Sequence, residues 1–300
     1  MAEQQAFPPS DRTWYQRGLT KMDGEQYEEA IALFNRAIEC EPNSYDAWYM
    51  KGNALFNLKR YEEAFASYDR AANLQPKSFV AWESRGLALE RLQRYEEAIA
   101  SLDRALEIQA DEFKIWWARG NALYGLERSE EAITNYDKAL ELQPESHQLW
   151  LWRGKVLTSL KRHQEALLSY EKALEIQREI GDRSAEVDTL FNLATSYPIN
   201  GKIRQGFQAQ KRAIELVREL DLTPDNPLYS LASQNIKIPD QFDVLIEKMG
   251  WMEKLINFGR QGKFQLGIVF IVWLLYFFLS VAFSPVALIL WLFRRLTRRT

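Results

Sequence analysis

Residues 45–78 read YDAWYMKGNALFNLKRYEEAFASYDRAANLQPKS, and this 34-residue pattern recurs in register from Asp11 to Ile180. Five copies follow one another without an insertion or a deletion. Trp48 stands in a column with Trp14, Trp82, Trp116 and Trp150. Gly52, four residues on, stands in another with Gly18, Gly86, Gly120 and Gly154. Two alanine columns keep the same step: Ala30, Ala64, Ala98, Ala132 and Ala166, then Ala37, Ala71, Ala105, Ala139 and Ala173. A strict period of this length marks stacked supersecondary units, each able to bury its apolar face only against its neighbours.

Within one copy the spacing predicts two helices, Tyr45 to Leu58 and Tyr61 to Leu74, separated by Lys59-Arg60 and stopped at Gln75-Pro76. Proline cannot continue a helix, so Pro42, Pro76 and Pro144 end the second helices. Glu62-Glu63, Glu96-Glu97 and Glu130-Glu131 fall in the first turn of each second helix, where the helix dipole favours negative charge. Trp48, Gly52 and Leu55 share one face of the first helix. A glycine inside a helix costs about 1 kcal/mol relative to alanine. Its fivefold recurrence therefore predicts that a bulky side chain from the second helix packs where no Cβ stands, with Ala64, Tyr68 and Ala71 supplying the opposing face.

The W-x-x-x-G start, the paired alanines, the aromatic or leucine between them and the closing proline resemble the tetratricopeptide repeat, end to end from Asp11 to Ile180. The resemblance is closest to bacterial, especially cyanobacterial-type, tetratricopeptide membrane proteins. It implies an all-α fold, an α-solenoid of stacked helix-turn-helix repeats at 11–44, 45–78, 79–112, 113–146 and 147–180. The glycine usual at the turn between the helices is replaced by Glu25, Lys59, Gln93, Glu127 and Lys161, which reads as a softened turn without consequence for the fold. The closing proline is Ala110 in the third copy and Arg178 in the fifth. A degenerate sixth unit is expected over 181–220, with helical patterns at Val187 to Tyr197 and Ile203 to Leu220 broken at Pro198 and Gly201.

Recognition is expected in columns that vary between copies while pointing the same way. Residues at −2, +1, +5 and +8 from each tryptophan share such a face, which in the resembling family lines a concave groove for peptides. Two copies place an amide between aromatics there: Tyr49, Asn53 and Phe56, and Trp117, Asn121 and Tyr124, with Tyr15 in the first copy. Aromatic side chains give large contact area at low entropic cost, and an Asn amide can both donate to and accept from a peptide backbone. The competing reading is that these rings pack against neighbouring first helices. The third copy supplies Val80, Glu83, Leu87 and Glu90 to the same face. A column of cations (Arg17, Lys51, Arg85, Arg119, Arg153) matches a polar column on the second helices (Asn35, Asp69, Asp103, Asp137, Glu171), as ion pairs between adjacent helices would require.

The far end has a different composition. Leu266 to Phe293 contains no charged residue, and 19 of its 28 residues are Leu, Ile, Val or Phe. At about 0.3–0.6 kcal/mol each, these favour bilayer insertion by about 6–11 kcal/mol as an upper bound. A C-terminal transmembrane helix over 266–293 is therefore expected, followed by a basic tail over 294–300. As a straight helix it would span about 42 Å against a hydrocarbon core of about 30 Å, so tilt or a kink at Pro285 is required. Cations flank both sides, which leaves a single tail-anchor span and a re-entrant hairpin at Ser284-Pro285 as alternatives. Residues 239–265 read as a juxtamembrane amphipathic helix, 221–238 as a linker and 1–10 as a disordered N-terminus.

Net charge is −3, and without the four arginines after Phe293 the balance is 34 basic against 41 acidic residues, or −7. That acidity argues against nucleic-acid binding. The single cysteine permits no internal disulfide and fits a reducing compartment. Met1 to Ser10 has neither a basic start nor an apolar run, so no signal peptide is read and the repeats are expected in the cytoplasm. His147 and His163 make no metal-ligand spacing with Cys40, and no phosphate loop or nucleophile elbow occurs. The expected function is thus a non-catalytic, membrane-anchored scaffold or adaptor that binds proteins or peptides, without cofactor, metal, nucleic acid or small-molecule substrate. A membrane-bound targeting or assembly receptor for client chains is the alternative.

Overall fold

The computed structural model describes residues 11–221, all helices and short turns among these residues. The N-terminal ten residues, the linker, the juxtamembrane helix, the 266–293 segment and the basic tail lie outside the described residues. Among the described residues no helix is long and apolar enough to cross a membrane.

Twelve α-helices alternate as first and second helices of successive pairs. They are α1 (Asp11–Asp23), α2 (Tyr27–Cys40), α3 (Tyr45–Asn57), α4 (Tyr61–Leu74), α5 (Phe79–Arg91) and α6 (Tyr95–Ile108). There follow α7 (Phe113–Gly125), α8 (Ser129–Leu142), α9 (His147–Ser159), α10 (His163–Ile180), α11 (Arg183–Ile199) and α12 (Ile203–Glu219). The chain divides into two compact units, Met1–Ile176 and Gln177–Thr300.

In the first unit α1 to α8 pack as pairs and each helix from α2 to α9 packs on the one before it, while Tyr170 of α10 packs over Gly154 of α9. The alanine columns are the seam, and every alanine in both is buried. The glycine column does what its recurrence requires. A Cβ on Gly52 would stand 2.6 Å from the Tyr68 ring, and one on Gly154 would stand 2.5 Å from Tyr170 Cε1. The side chain sixteen residues downstream, an aromatic ring in four copies and Leu102 in the third, fills the notch that the missing side chain leaves.

The turns within the pairs are not softened. Glu25, Lys59, Gln93, Glu127 and Lys161 all adopt left-handed backbone, with φ between 55° and 61°. Each forms the two bonds of a Schellman closure: Lys59 N donates to the Phe56 carbonyl at 2.9 Å, and Arg60 N to the Leu55 carbonyl at 2.9 Å. A side chain at this backbone costs about 1–2 kcal/mol, so the missing glycine leaves the geometry intact and raises its cost. Gly201 (φ 81°) supplies the usual residue only at the α11–α12 turn.

Between pairs, the tryptophan column has a polar duty. Trp48 Nε1 donates to the Pro42 carbonyl at 2.9 Å, Trp82 to Pro76 at 3.0 Å, Trp116 to Ala110 at 2.7 Å and Trp150 to Pro144 at 2.8 Å. Each indole thus pins the turn that leads into its own helix. That α6 still ends at Ile108 without a proline at 110 shows that the turn survives on these bonds. Arg178 at the fifth proline place has another outcome, for α10 continues to Ile180.

The cation column forms the expected ion pairs in three copies. Arg85 meets Asp69 at 2.8 Å, Arg119 meets Asp103 at 2.6 Å and Arg153 meets Asp137 at 2.6 Å. The same guanidiniums donate forward to Ser101, Asn135 and Ser169 on the next second helix. One arginine therefore ties two consecutive second helices.

In the second unit α11 packs on α12. The helix begins at Arg183, earlier than Val187, because Asp182 Oδ1 accepts from Ala185 N at 2.9 Å and caps it. Pro198 does not break the pattern either: it sits in the last turn of α11, where its ring lies 2.7 Å from the Cβ position of Gly206. Glycine stands at this alanine place because the proline needs the room.

Candidate peptide-binding face

The residues singled out from sequence lie on first helices α1, α3 and α7, and all are half-buried. Tyr15, Tyr49 and Phe56 pack against one cluster built on Phe34, Leu55 and Tyr68. The Tyr15 ring centroid is 5.9 Å from that of Phe34, and Tyr49 lies 5.8 Å from both Tyr45 and Tyr68. Phe56 meets Tyr61 edge-on at 5.2 Å. These rings give part of their area to the core and present the rest. The structure brings Tyr15, Tyr49, Asn53 and Phe56 together; Trp117, Asn121 and Tyr124 form a separate group on α7.

Both asparagines are held by a tyrosine of their own pair. Tyr68 Oη donates to Asn53 Oδ1 at 2.8 Å, and Tyr136 Oη donates to Asn121 Oδ1 at 2.8 Å. Burial pushes both phenols well above their ordinary pKa, so they remain protonated donors. Their hydrogen bonds orient each amide, leaving the NH2 end to point elsewhere. Asn53 Nδ2 has only the Met50 sulfur, at 3.4 Å. For Asn121 Nδ2 no acceptor is found among the described residues. One turn earlier on the same helix face, Trp117 Nε1 is buried without an acceptor. The buried indole N–H is the unusual one of the two, because buried N–H groups are nearly always satisfied.

Helix α5 lies between these groups. Tyr49 Oη on α3 is 3.5 Å from Ser84 Oγ, and α5 packs directly on α7. The first helices therefore run side by side, and Glu83 and Glu90 come to lie between the two aromatic sets. Their spacing from Trp82 puts these carboxylates on that face, and the signal that marks them is acids in columns otherwise mostly apolar or aromatic. Among the described residues no group of His, Cys, Asp and Glu is arranged to hold a metal ion, and Cys40 is exposed.

A tetratricopeptide repeat family model matches residues 15–79 and 118–179, and a second repeat model of the same kind matches residues 91–127. The chain is a tetratricopeptide repeat protein. Solved structures share the fold of these repeats. MamA from Desulfovibrio magneticus RS-1 is 24% identical, with a TM-score of 0.55 over 58% of this chain and 98% of that one. Another MamA crystal structure is 19% identical, with a TM-score of 0.53 over 55% and 96%. YrrB, described as a tetratricopeptide protein with an unusual peptide-binding site, is 21% identical, with a TM-score of 0.50 over 67% and 97%. No curated protein sequence matches the chain.

Proposed function

We propose that the repeats bind an extended segment of a partner protein along their first helices, and that residues 266–293 tether them to a membrane. The protein then acts as a non-catalytic adaptor, gathering partners at a bilayer surface. The observation that carries this reading is the buried indole N–H of Trp117, which lacks an acceptor among the described residues and lies one turn from the Asn121 amide that Tyr136 orients. A peptide laid across α7 offers a backbone carbonyl to the Asn121 amide and, once the Trp117 ring turns outward, another to its indole N–H, while the half-buried rings of Tyr49, Phe56 and Tyr124 offer it apolar area. The description of YrrB as peptide-binding supports the same use of a related fold. The tether is supported by composition alone, 28 residues without a charge.

Displayed-peptide selection on the full chain in detergent, followed by affinity measurement, tests the binding face. Trp117→Ala with Asn121→Ala is expected to weaken selected peptides by tenfold or more while helicity is kept. Unchanged affinity would mean that peptides bind elsewhere. For the tether, alkaline extraction of membranes should leave the full chain in the pellet and release a variant ending at residue 265. Release of both would remove the membrane from the proposal.

A further inference from the structure

Helix α5 breaks the aromatic pattern of its neighbours in a specific way. Glu83 holds the place that Tyr49 has on α3 and Trp117 has on α7, and Glu90 holds the place of Phe56 and Tyr124. Seven residues apart, the two carboxylates lie on one face about 10 Å from each other along the axis. Neither is an ordinary solvated surface acid. The Glu90 side chain is 14% exposed, and Glu83 is half-buried.

Their own counter-charges are weak. Glu83 accepts no hydrogen bond from a described residue; Glu112 and Lys114, at the start of α7, act on it with opposite signs. Glu90 has Arg91 at 3.5 Å, a loose contact with a side chain that is 49% exposed. Burial pushes both carboxyls above the ordinary glutamate range, against the opposing pull of Lys114 and Arg91 respectively. Elsewhere in the repeats a glutamate beside an arginine is held by it: Arg94 Nε meets Glu97 at 2.7 Å and Arg162 Nη2 meets Glu165 at 2.7 Å. Desolvated carboxylates with incomplete pairing, flanked by aromatic faces, are complementary to an organic cation. The ring quadrupoles attract it, and the reduced dielectric strengthens its ion pair. A guanidinium fits best, being planar, weakly hydrated and able to stack while donating.

We propose that α5 sets the chemistry of the partner: an arginine or lysine side chain of the bound segment docks against Glu83 and Glu90, between Tyr49 and Phe56 on one side and Trp117 and Tyr124 on the other. This rests on the peptide-binding reading and adds what the peptide must carry. The carboxylates supply selectivity, and the α7 donors supply affinity for any backbone.

The test uses peptides selected on the full chain, made in pairs with arginine or with citrulline, its neutral isostere, at the basic position shared by the selected sequences. Arginine peptides are expected to bind at least tenfold tighter than their citrulline twins. In the Glu83→Gln, Glu90→Gln double variant the two should bind alike, near the citrulline level. Selected peptides without a shared basic residue, or an arginine preference that persists in the double variant, would overturn the carboxylate proposal and leave the groove standing. Peptides that bind the Trp117→Ala, Asn121→Ala variant at full strength would overturn the groove and this proposal together. Circular dichroism of both variants checks that the helices are kept.

Discussion

The ring of Tyr170 lies over Gly154 so closely that a Cβ built there would stand 2.5 Å from Tyr170 Cε1. Helix propensity alone favours alanine over glycine by about 1 kcal/mol. Overpacking a close-fitted seam costs about 1–3 kcal/mol. Because Tyr170 is 1% exposed, it has nowhere to retreat. Gly154→Ala is expected to destabilise the repeats in urea melts, and Gly154→Ala with Tyr170→Leu to recover part of the loss. A stabilising Gly154→Ala would show that the seam is looser than the structure describes.

A glycine placed at the left-handed positions should have the opposite effect. Lys59 and Gln93 have φ of 61° and 60°. Relieving the left-handed cost, less the chain entropy that glycine adds, leaves about 0.5–1 kcal/mol of stabilisation per site. Lys59→Gly and Gln93→Gly should therefore each raise the denaturation midpoint, with near-additive effects because the sites belong to different copies.

Arg119 joins Asp103 behind it to Asn135 ahead of it. The ion pair is partly solvated, with side chains 22% and 47% exposed, so it contributes at most about 1 kcal/mol. Asn135 is 4% exposed, and stripping its carbonyl of a donor costs about 1–3 kcal/mol. Arg119→Ala should therefore destabilise more than Asp103→Ala, and Arg119→Ala in an Asn135→Ala background should cost less than in the native one. Chemical denaturation of the four proteins gives the coupling directly.

The carboxylates of α5 predict an unusual pH response. Their folded pKa values lie above the ordinary 4.5, so charging them is disfavoured on folding. That cost is absent below 4.5 and enters as pH rises through the raised values. Glu83→Gln and Glu90→Gln are thus expected to be more stable than the native chain at pH 7, with the gap closing below about pH 4.5. Glu97, Glu131 and Glu165 behave conversely. Hydrogen bonds from Arg94, Arg128 and Arg162 hold their pKa values down, so their contribution is present above 4.5 and fades as pH falls through the lowered values. Thermal melts of the variants across pH 3–8, a range set by these carboxyl pKa values, separate the two groups.

The helix pairs were legible because propensity, dipole complementarity and the glycine and alanine columns all point the same way, and Gly52 named its partner Tyr68 in advance. Residue type concealed the backbone at Glu25, Lys59, Gln93, Glu127 and Lys161, for nothing in a lysine or a glutamate announces left-handed φ; only the fixed period forces it. The indole bonds of Trp48, Trp82, Trp116 and Trp150 were hidden for a different reason, since their acceptors are backbone carbonyls and carry no sequence signal. Trp117 and Asn121 share a face of α7 by their spacing alone, whereas the missing acceptor of the Trp117 indole is a property of three-dimensional neighbours. Glu83 and Glu90 were visible as acids, whereas their burial was not.

The arginines at the starts of the second helices reach across copies in a constant rhythm: Arg60 to Glu28 at 3.1 Å, Arg94 to Glu62 at 3.2 Å and Arg162 to Glu130 at 2.9 Å. Excising residues 79–112 would hand Arg128 the Glu62 that Arg94 now holds, Arg119 the Asp69 of Arg85, and Trp116 the carbonyl of Pro76. Each of these links finds an equivalent mate, and among the contacts described above only the Tyr49–Ser84 contact is lost, because Ala118 takes the place of Ser84. The array can thus be shortened, lengthened or spliced in whole modules, and the acid-bearing third module is one such exchangeable cassette, which lets recognition change while the architecture stays as it was.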